Sequence, residues 1–390
     1  MKILAPLASL EPGAIEARYQ AGARELYFGL ASAAWTRRFG PYCNLNRMSD
    51  FGSRANTIDE KQAADATRSI HAAQCSAFVT LNAGLYEAEQ LTYLRKLCQT
   101  LAEGKACAGT ADGMTGGAQG DTQRENARMT NVAGDGANRK DAAATSEASA
   151  IKAERSNGDA AVSHKRRGTN APDGVIVSTR ALGRIVAEAG LSPVASTMLD
   201  ACNADVVRTL RDAGFKRIIV PREMSLDEIG MLTAAFPDVE FEAFLMRDGC
   251  MFSDSHCFTR HLPGHGALCG TLRMSERRFV RAKDAQGFAD VHNSELTDEL
   301  YRSFHMKRAC GLCAIYRLLH MGIAAVKIVG RADNEQELLD DIALVQRNLD
   351  IAQTAPSEQA YLNAMEFPPD RAATCKLGLN CYYPEVRFPL

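Results

Sequence analysis

The chain has 390 residues, enough for a large buried core, and length alone allows one large α/β domain or two average ones. Its 45 Lys and Arg against 47 Asp and Glu leave a formal charge of −2, so the whole-molecule field favours neither bulk attraction to nucleic acid nor a membrane surface. No apolar run reaches the roughly 18 residues that cross a bilayer, and 12 cysteines in a chain of this size without an export signal are expected as reduced thiols in a cytoplasm.

The opening stretch "MKILAPLASL", interrupted by Pro6 and followed by Glu11, reads as a first strand rather than a signal peptide. A phrase then recurs along the chain: an amphipathic helical run, a Gly or small residue at its end, and a β-rich apolar run. The instances are "RYQAGARELYFGL", "SIHAAQCSAFVTLN", "VAEAGLSPVASTM", "LRDAGFKRIIVPR" and "LLHMGIAAVKIVGR". Helix, cap and strand make the αβ half of a βαβ unit, with Gly supplying the left-handed turn. The strand candidates "KILAP", "ELYFGL", "AFVTLN", "GVIVS", "PVAST", "RIIVPR", "EFEAFLM" and "AVKIVG" number eight. Helical patterns, among them "ALGRIVAEAG", "ADVVRTLRDAG", "LDEIGMLTAAF" and "CAIYRLLHMG", fall between them. The expected fold class is therefore α/β, a (β/α)8 TIM-like barrel, with a doubly wound open sheet as the alternative. No G-x-G-x-x-G turn follows the first strand, which disfavours a nicotinamide cofactor.

Residues 102–172 have few large apolar side chains and no sustained periodicity, so they are expected as a disordered low-complexity insertion, and Cys107 within them as no ligand. The barrel then divides into 1–101 and 173–350, with 351–390 as a C-terminal extension. Cys75, Cys98 and Cys202 lie in apolar or helical patterns and read as small hydrophobes.

Loops after the strands form the catalytic face of such a barrel. "DGCMFSDSHCFTRHLPGHGALCG" follows the seventh strand candidate and carries Cys250, Cys257 and Cys269, while Cys313 opens the helix leading to the eighth. Several thiolates aimed at one volume are what a metal or iron–sulfur cluster requires. The C-x6-C-x11-C spacing lacks the paired C-x2-C of a zinc ribbon, although zinc closed by Cys and one of His256, His261 or His265 stays open.

These motifs, in this order, resemble the collagenase-like peptidase family, peptidase family U32. "LAPLASLEPGAIEARYQAGARELYFGL" is similar to its opening strand, helix and strand, "FVTLN" to its third strand, and "VAST…LRDAGFKRIIVPREMSLDEI" to its fifth and sixth units. "DGCMFSDSHC" resembles its first two-Cys segment, "HGALC" its third Cys segment, and "GLCAIYRLLHMGIAAVKIVGR" its closing one. "HGALC" also resembles the first Cys motif in spelling, but Glu276 rather than Cys stands seven positions on.

The resemblance implies an oxygen-sensitive four-iron four-sulfur cluster on Cys250, Cys257, Cys269 and Cys313, with zinc as the other metal considered. It implies oxygen-independent hydroxylation of RNA bases or of a ubiquinone precursor, prephenate being the oxygen donor proposed for the RNA-modifying members. Cys310 has no counterpart in the common motif, and Cys43 is a further candidate because the loop after the second strand supplies a ligand in some members. No H-E-x-x-H or G-x-S-x-G supports a peptidase, so that label rests on ancestry.

Polar residues at strand ends are the expected substrate shell. Arg222, Glu223, Lys327 and Arg331 are the candidate catalytic residues, and Asn82, Ser196, Thr197, Asn46 and Arg47 the candidate cofactor-binding ones. Arg222 with Arg331 would suit a prephenate-like dicarboxylate, because planar guanidinium donors reach both carboxylate oxygens. Each also reads as a rim salt bridge. The basic segment "RMSERRFVRAKD" at 273–284 reads as a solvated face rather than an RNA surface. The tail "CKLGLNCYYPE" adds Cys375 and Cys381, and either folds over the barrel mouth or holds a second metal. Three functions follow: an iron–sulfur hydroxylase acting on RNA or a small aromatic or quinone precursor, a metal-dependent peptidase acting on peptides, and a noncatalytic partner of another barrel of the family. No membrane partner is expected.

Overall fold

The computed structural model describes residues 1–40, 43, 45–46, 55–84, 86–104, 170–250, 253–255, 261–262, 266–267, 308–368, 375 and 381–387. In chain order the strands are β1 Lys2–Pro6, β2 Glu25–Ala31, β3 Ile58–Asp59, β4 Ser76–Leu81, β5 Gly174–Val177, β6 Pro193–Ala195, β7 Arg217–Ile219, β8 Glu240–Met246, β9 His261–Leu262, β10 Gly266–Ala267 and β11 Ala325–Ile328. Eight of them run β1-β11-β8-β7-β6-β5-β4-β2, every pairing is parallel, and β2 returns to β1 through the Leu4↔Glu25 register. That last pairing closes the sheet into a (β/α)8 barrel and removes the open-sheet alternative. β3 adds a short parallel pairing with the last two residues of β2, Leu30 and Ala31, and β9 with β10 forms a separate antiparallel pair.

All eight strand candidates become barrel strands, and the repeated phrase has the geometry its Gly demands. In "LRDAGF", Gly214 takes φ +92° and Phe215 N donates to Leu210 O at 3.1 Å. In "LLHMGI", Gly322 takes φ +83° and Ile323 N donates to Leu318 O at 3.1 Å. A left-handed residue at this point turns the chain off the helix and straight into the next strand. N-termini are capped as firmly: Asn203 accepts from Asp205 N and Val206 N, and Ser225 and Glu228 form a reciprocal capping box. The helix Arg180–Glu188 buries Leu182, Ile185 and Val186, the three- and four-residue spacing of a core-facing stripe.

Met1–Gly109 and Lys165–Leu390 form one compact unit. The helix Ala88–Glu103 extends into the range expected as insertion, and Asn170 Nδ2 donates to Gly104 O at 3.4 Å. The chain therefore leaves and re-enters the barrel at one place, and 105–169, with Cys107, lie outside the described residues. Likewise the helix Glu335–Thr354 crosses the expected start of the extension. Cys75 and Cys98 are buried as expected, and burial pushes their thiols up to about 11 and about 12. Cys202 instead lies exposed, ahead of the helix Ala204–Asp212.

The barrel interior is charged rather than uniformly apolar. At the N-terminal end of the strands Arg217 bonds Glu25 and, through Nε, Glu240 at 2.7 Å. One layer up, Lys327 Nζ meets Glu242 Oε1 at 2.9 Å and lies 4.2 Å from the Tyr27 ring centroid. Ionic groups this deep persist only when paired, because desolvation costs several kcal/mol per unpaired ion. Burial lowers the Lys327 pKa, and Glu242 opposes that shift.

Candidate active site

The next layer up is the C-terminal mouth, where three arginines enter from β7, β8 and β11. They differ in what holds them. Arg247, at the end of β8, is 3 % exposed and bonds Asp341 Oδ2 at 2.6 Å, Asp333 Oδ2 at 3.0 Å and Glu337 Oε2 at 3.4 Å. Burial pulls its pKa down and Asp341 with Asp333 more than reverses the effect. It is a buttress between the barrel and the helix Glu335–Thr354. Arg247 and Asp248 both have positive φ, +66° and +45°, so the chain turns sharply into the Cys-bearing loop.

Arg222, after β7, pairs with Asp254, which also accepts from Thr197 Oγ1 at 2.7 Å. Its guanidinium carbon lies 3.8 Å from the Phe244 ring centroid, and that ring stacks on Tyr382 at 6.0 Å and 13°. Arg222 Nε is buried without a hydrogen-bond partner among the described residues. Cys250, half-buried, is close enough to act electrostatically on Arg222.

Arg331, after β11, has the least compensation. It is 4 % exposed, and its Nη1 donates to two neutral oxygens, Asn56 Oδ1 at 2.9 Å and Thr80 Oγ1 at 3.0 Å. Among the described residues no carboxylate lies within ion-pair distance of it. Burial lowers its pKa, and Tyr27 and Asp248 offset this in part. Gly29 in β2 makes the seat: a Cβ there would stand 1.9 Å from both Arg331 Nη1 and Asn56 Oδ1. A guanidinium buried against neutral oxygens keeps much of its desolvation cost uncompensated.

The other expected residues are spread around this mouth. Ser196 and Thr197 are buried at the end of β6, Asn82 is half-buried at the end of β4, and Asn46 is fully buried with Nδ2 donating to Leu30 O at 2.8 Å. Glu223 is exposed beside Arg222. Lys327, expected at the rim, is 6 % exposed and sits below it, in the ion pair with Glu242. Arg47, Cys257 and Cys269 lie outside the described residues, as do 273–284 and His256 and His265. Cys43 is half-buried, its carbonyl accepting from Trp35 Nε1 at 2.7 Å. Sequence reasoning missed Asn56, Thr80, Asp254 and Arg247, which come from four separate segments. "LMRDG" at 245–249 held the one local signal, two polar residues at a strand end next to Gly.

Cys313 is 5 % exposed in the short 3-10 turn Leu312–Ala314, and Arg387 Nε donates to its Sγ at 2.9 Å. Among the described residues no three His, Cys, Asp or Glu side chains already converge closely enough to hold a metal ion. His71 and Asp173 pair at 2.8 Å, but Asp173 also takes Ala77 N, at the N-terminal side of the barrel, opposite the mouth. An open depression lined by Lys2, Glu25, Phe78, Arg217 and Glu240 lies at that same N-terminal end, where barrels keep structural rather than catalytic groups. No helix among the described residues is long and apolar enough to cross a membrane.

Comparison with known proteins agrees with the motif order. The chain is 24% identical over 204 residues to the 23S rRNA 5-hydroxycytidine C2501 synthase of Escherichia coli (strain K12), a match covering 50% of this chain and 29% of that protein. The chain thus spans less than a third of that relative's length. Among solved structures, the U32 peptidase Mk0906 is similar with 10% identity and a TM-score of 0.36, covering 64% of this chain and 70% of that one. The native KDPGal structure is similar with 8% identity and a TM-score of 0.39, over 90% of this chain and 96% of that one. The family model described as peptidase family U32 matches residues 159–375, more than half of the sequence, including the Cys-bearing loop and the closing "KIVGR" strand. The chain belongs to peptidase family U32.

Proposed function

We propose that this barrel is an iron–sulfur hydroxylase of the U32 type, which works without molecular oxygen: a C–H of an RNA base becomes C–OH while a prephenate-like hydroxylated carboxylate held at Arg331 gives up its hydroxyl oxygen and is reduced from C–OH to C–H. The observation that carries the reading is Arg331 itself, a buried cation whose hydrogen bonds run to the neutral oxygens of Asn56 and Thr80. Pairing it with an anion recovers Coulomb energy that the protein alone leaves unused, and a planar carboxylate matches its fork. The hydroxycytidine synthase among its relatives supports an RNA base as the acceptor.

Cys313 carries one feature that suits a soft metal: the Arg387 Nε–H points at its sulfur, as second donors do around metal thiolates. A cluster on Cys250, Cys257, Cys269 and Cys313, when bound, supplies one-electron chemistry beside the substrate. The chain's own groups position the reactants. Asn56 and Thr80 aim Arg331, Asp254 fixes Arg222 over Phe244, and the Tyr382 ring covers Phe244 and shields that side of the mouth from water. Orientation of this kind accounts for much of the barrier reduction available to a site with few proton-transfer groups.

The test is anaerobic. Protein purified without oxygen should be brown and should add one oxygen to RNA when prephenate is supplied. Arg331→Met should keep the colour and lose the product. Colourless, iron-free protein that is folded and fails reconstitution contradicts the reading.

A further inference from the structure

The proposed reaction gives Lys327 no task, although its setting is unlike that of the structural arginines. Burial pulls down the pKa values of Arg217 and Arg247, and their carboxylates more than reverse the effect. For Lys327 burial stays ahead: Glu242 opposes it, the positive charges of Arg331 and Arg217 add to it, and the ammonium gives up its proton more readily than a surface lysine does. Among the described residues the ammonium makes one hydrogen bond, to Glu242 Oε1 at 2.9 Å. Glu242 Oε2 is buried, 3.7 Å from Arg217 Nη1, and accepts no hydrogen bond, so the carboxylate beside the amine has an oxygen open to a proton.

Tyr27 sets the amine beside the anion seat. Lys327 Nζ lies 4.2 Å from the centroid of its ring, and the Arg331 guanidinium carbon 5.8 Å from the same centroid. Two residues along β2, Gly29 carries no side chain, which leaves the space past the ring to Arg331. Solvent reaches the ion pair from the lysine side: 7% of the Lys327 side chain is exposed and none of Glu242. The depression at the N-terminal end is lined by Phe78 and Arg217 and stops short of Lys327, so the amine opens toward the mouth.

We infer that Lys327 is a nucleophile for 2-oxo acids: Arg331 holds the carboxylate, and Lys327 Nζ adds to the neighbouring ketone carbon to form an imine. The inference rests on the proposed function only for the carboxylate at Arg331. Glu242 takes one proton from the ammonium, and the nitrogen lone pair forms the C–N bond while the C=O π pair moves to oxygen. That oxygen collects a second nitrogen proton, then the one held by Glu242, and leaves as water. The C=N nitrogen keeps one proton and a positive charge, so its pairing with Glu242 survives, and no electrons are gained or lost. Prephenate is itself a 2-oxo acid, and the imine tethers such an oxygen donor in one orientation.

The experiment incubates the full chain with pyruvate, reduces the imine with cyanoborohydride and locates the adduct by peptide mass analysis. Lactate, which has the carboxylate and no ketone, is the control ligand. The expected result is label on Lys327 about tenfold or more above any other lysine, lowered about tenfold or more by Arg331→Met and by Glu242→Gln. Arg331→Met keeps the amine and its ion pair, so loss of label there reports the carboxylate seat rather than the fold. Label spread evenly over the lysines, or label on Lys327 that survives Arg331→Met, overturns the inference. Folded protein whose melting temperature rises with pyruvate and lactate alike, yet carries no label on Lys327, also overturns it and leaves the anion site of the proposed function standing. Label on Lys327 in protein that transfers no oxygen to RNA supports the imine and contradicts the hydroxylase.

Discussion

Two buried arginines at neighbouring strand ends should respond very unequally to the same substitution. Arg247→Met removes a cation from Asp341, Asp333 and Glu337, and the side chains of Asp341 and Asp333 are only 8% and 10% exposed. Stranding those carboxylates should cost about 3–5 kcal/mol, a fall in melting temperature on the order of 4–7 °C for a chain of this size. Arg331→Met loses two hydrogen bonds and orphans Asn56 Oδ1, a cost of about 1–3 kcal/mol. It also removes a buried charge with no ion-pair partner among the described residues, a relief of similar size. The net change should lie within about 2 kcal/mol of zero. Thermal and urea unfolding measure both. A dicarboxylate at 100 times its dissociation constant should raise wild-type stability by about 2.7 kcal/mol and leave Arg331→Met unmoved. Equal destabilisation by the two substitutions, or a ligand shift that survives Arg331→Met, refutes the division into one structural and one anion-binding arginine.

Gly29→Ala should unseat Arg331 and abolish the dicarboxylate shift, because the added Cβ overlaps Nη1; a crystal structure of the variant with the guanidinium in place would contradict this. Lys327 titrates below its ordinary value in the fold, so the unfolded chain binds more protons and stability should rise with pH toward about 10.5, a slope that Lys327→Met removes in pH-dependent unfolding. Cys98, pushed up to about 12, works in the other sense. Its contribution is complete below the ordinary thiol value and is lost as pH rises through 12, so Cys98→Ala should reduce the alkaline loss by up to about 1.4 kcal/mol per pH unit. Tyr382→Phe, which deletes the bond to Arg247 O, should cost about 1–2 kcal/mol and loosen the tail by hydrogen exchange.

Local chemistry explains what the sequence made legible. Each helix, Gly and strand phrase is a self-contained statement about dihedral preference and burial, and Gly214 and Gly322 take the left-handed turn that their position in the phrase requires. Arg222 and Arg331 were recognisable because both stand right after strands, at the end where a barrel keeps its chemistry. Their difference was not. It depends on Asp254, Asn56 and Thr80, which reach the mouth from remote segments, and no spacing rule links Arg331 to a residue 275 positions away. Lys327 shows the same limit from the other side, since strand-end polarity placed it at the rim while pairing with Glu242 draws it inside. The tail thiols were visible as a pair, but the pairing of Cys381 with Cys310 depends on a bridge between segments some 70 residues apart.

The proposed reaction is tested most directly by mass analysis of RNA incubated without oxygen with the reconstituted protein and prephenate. The account predicts one base heavier by a single oxygen, a product absent with Arg331→Met and absent without the carboxylate. RNA of unchanged mass in the presence of fully loaded protein would contradict it.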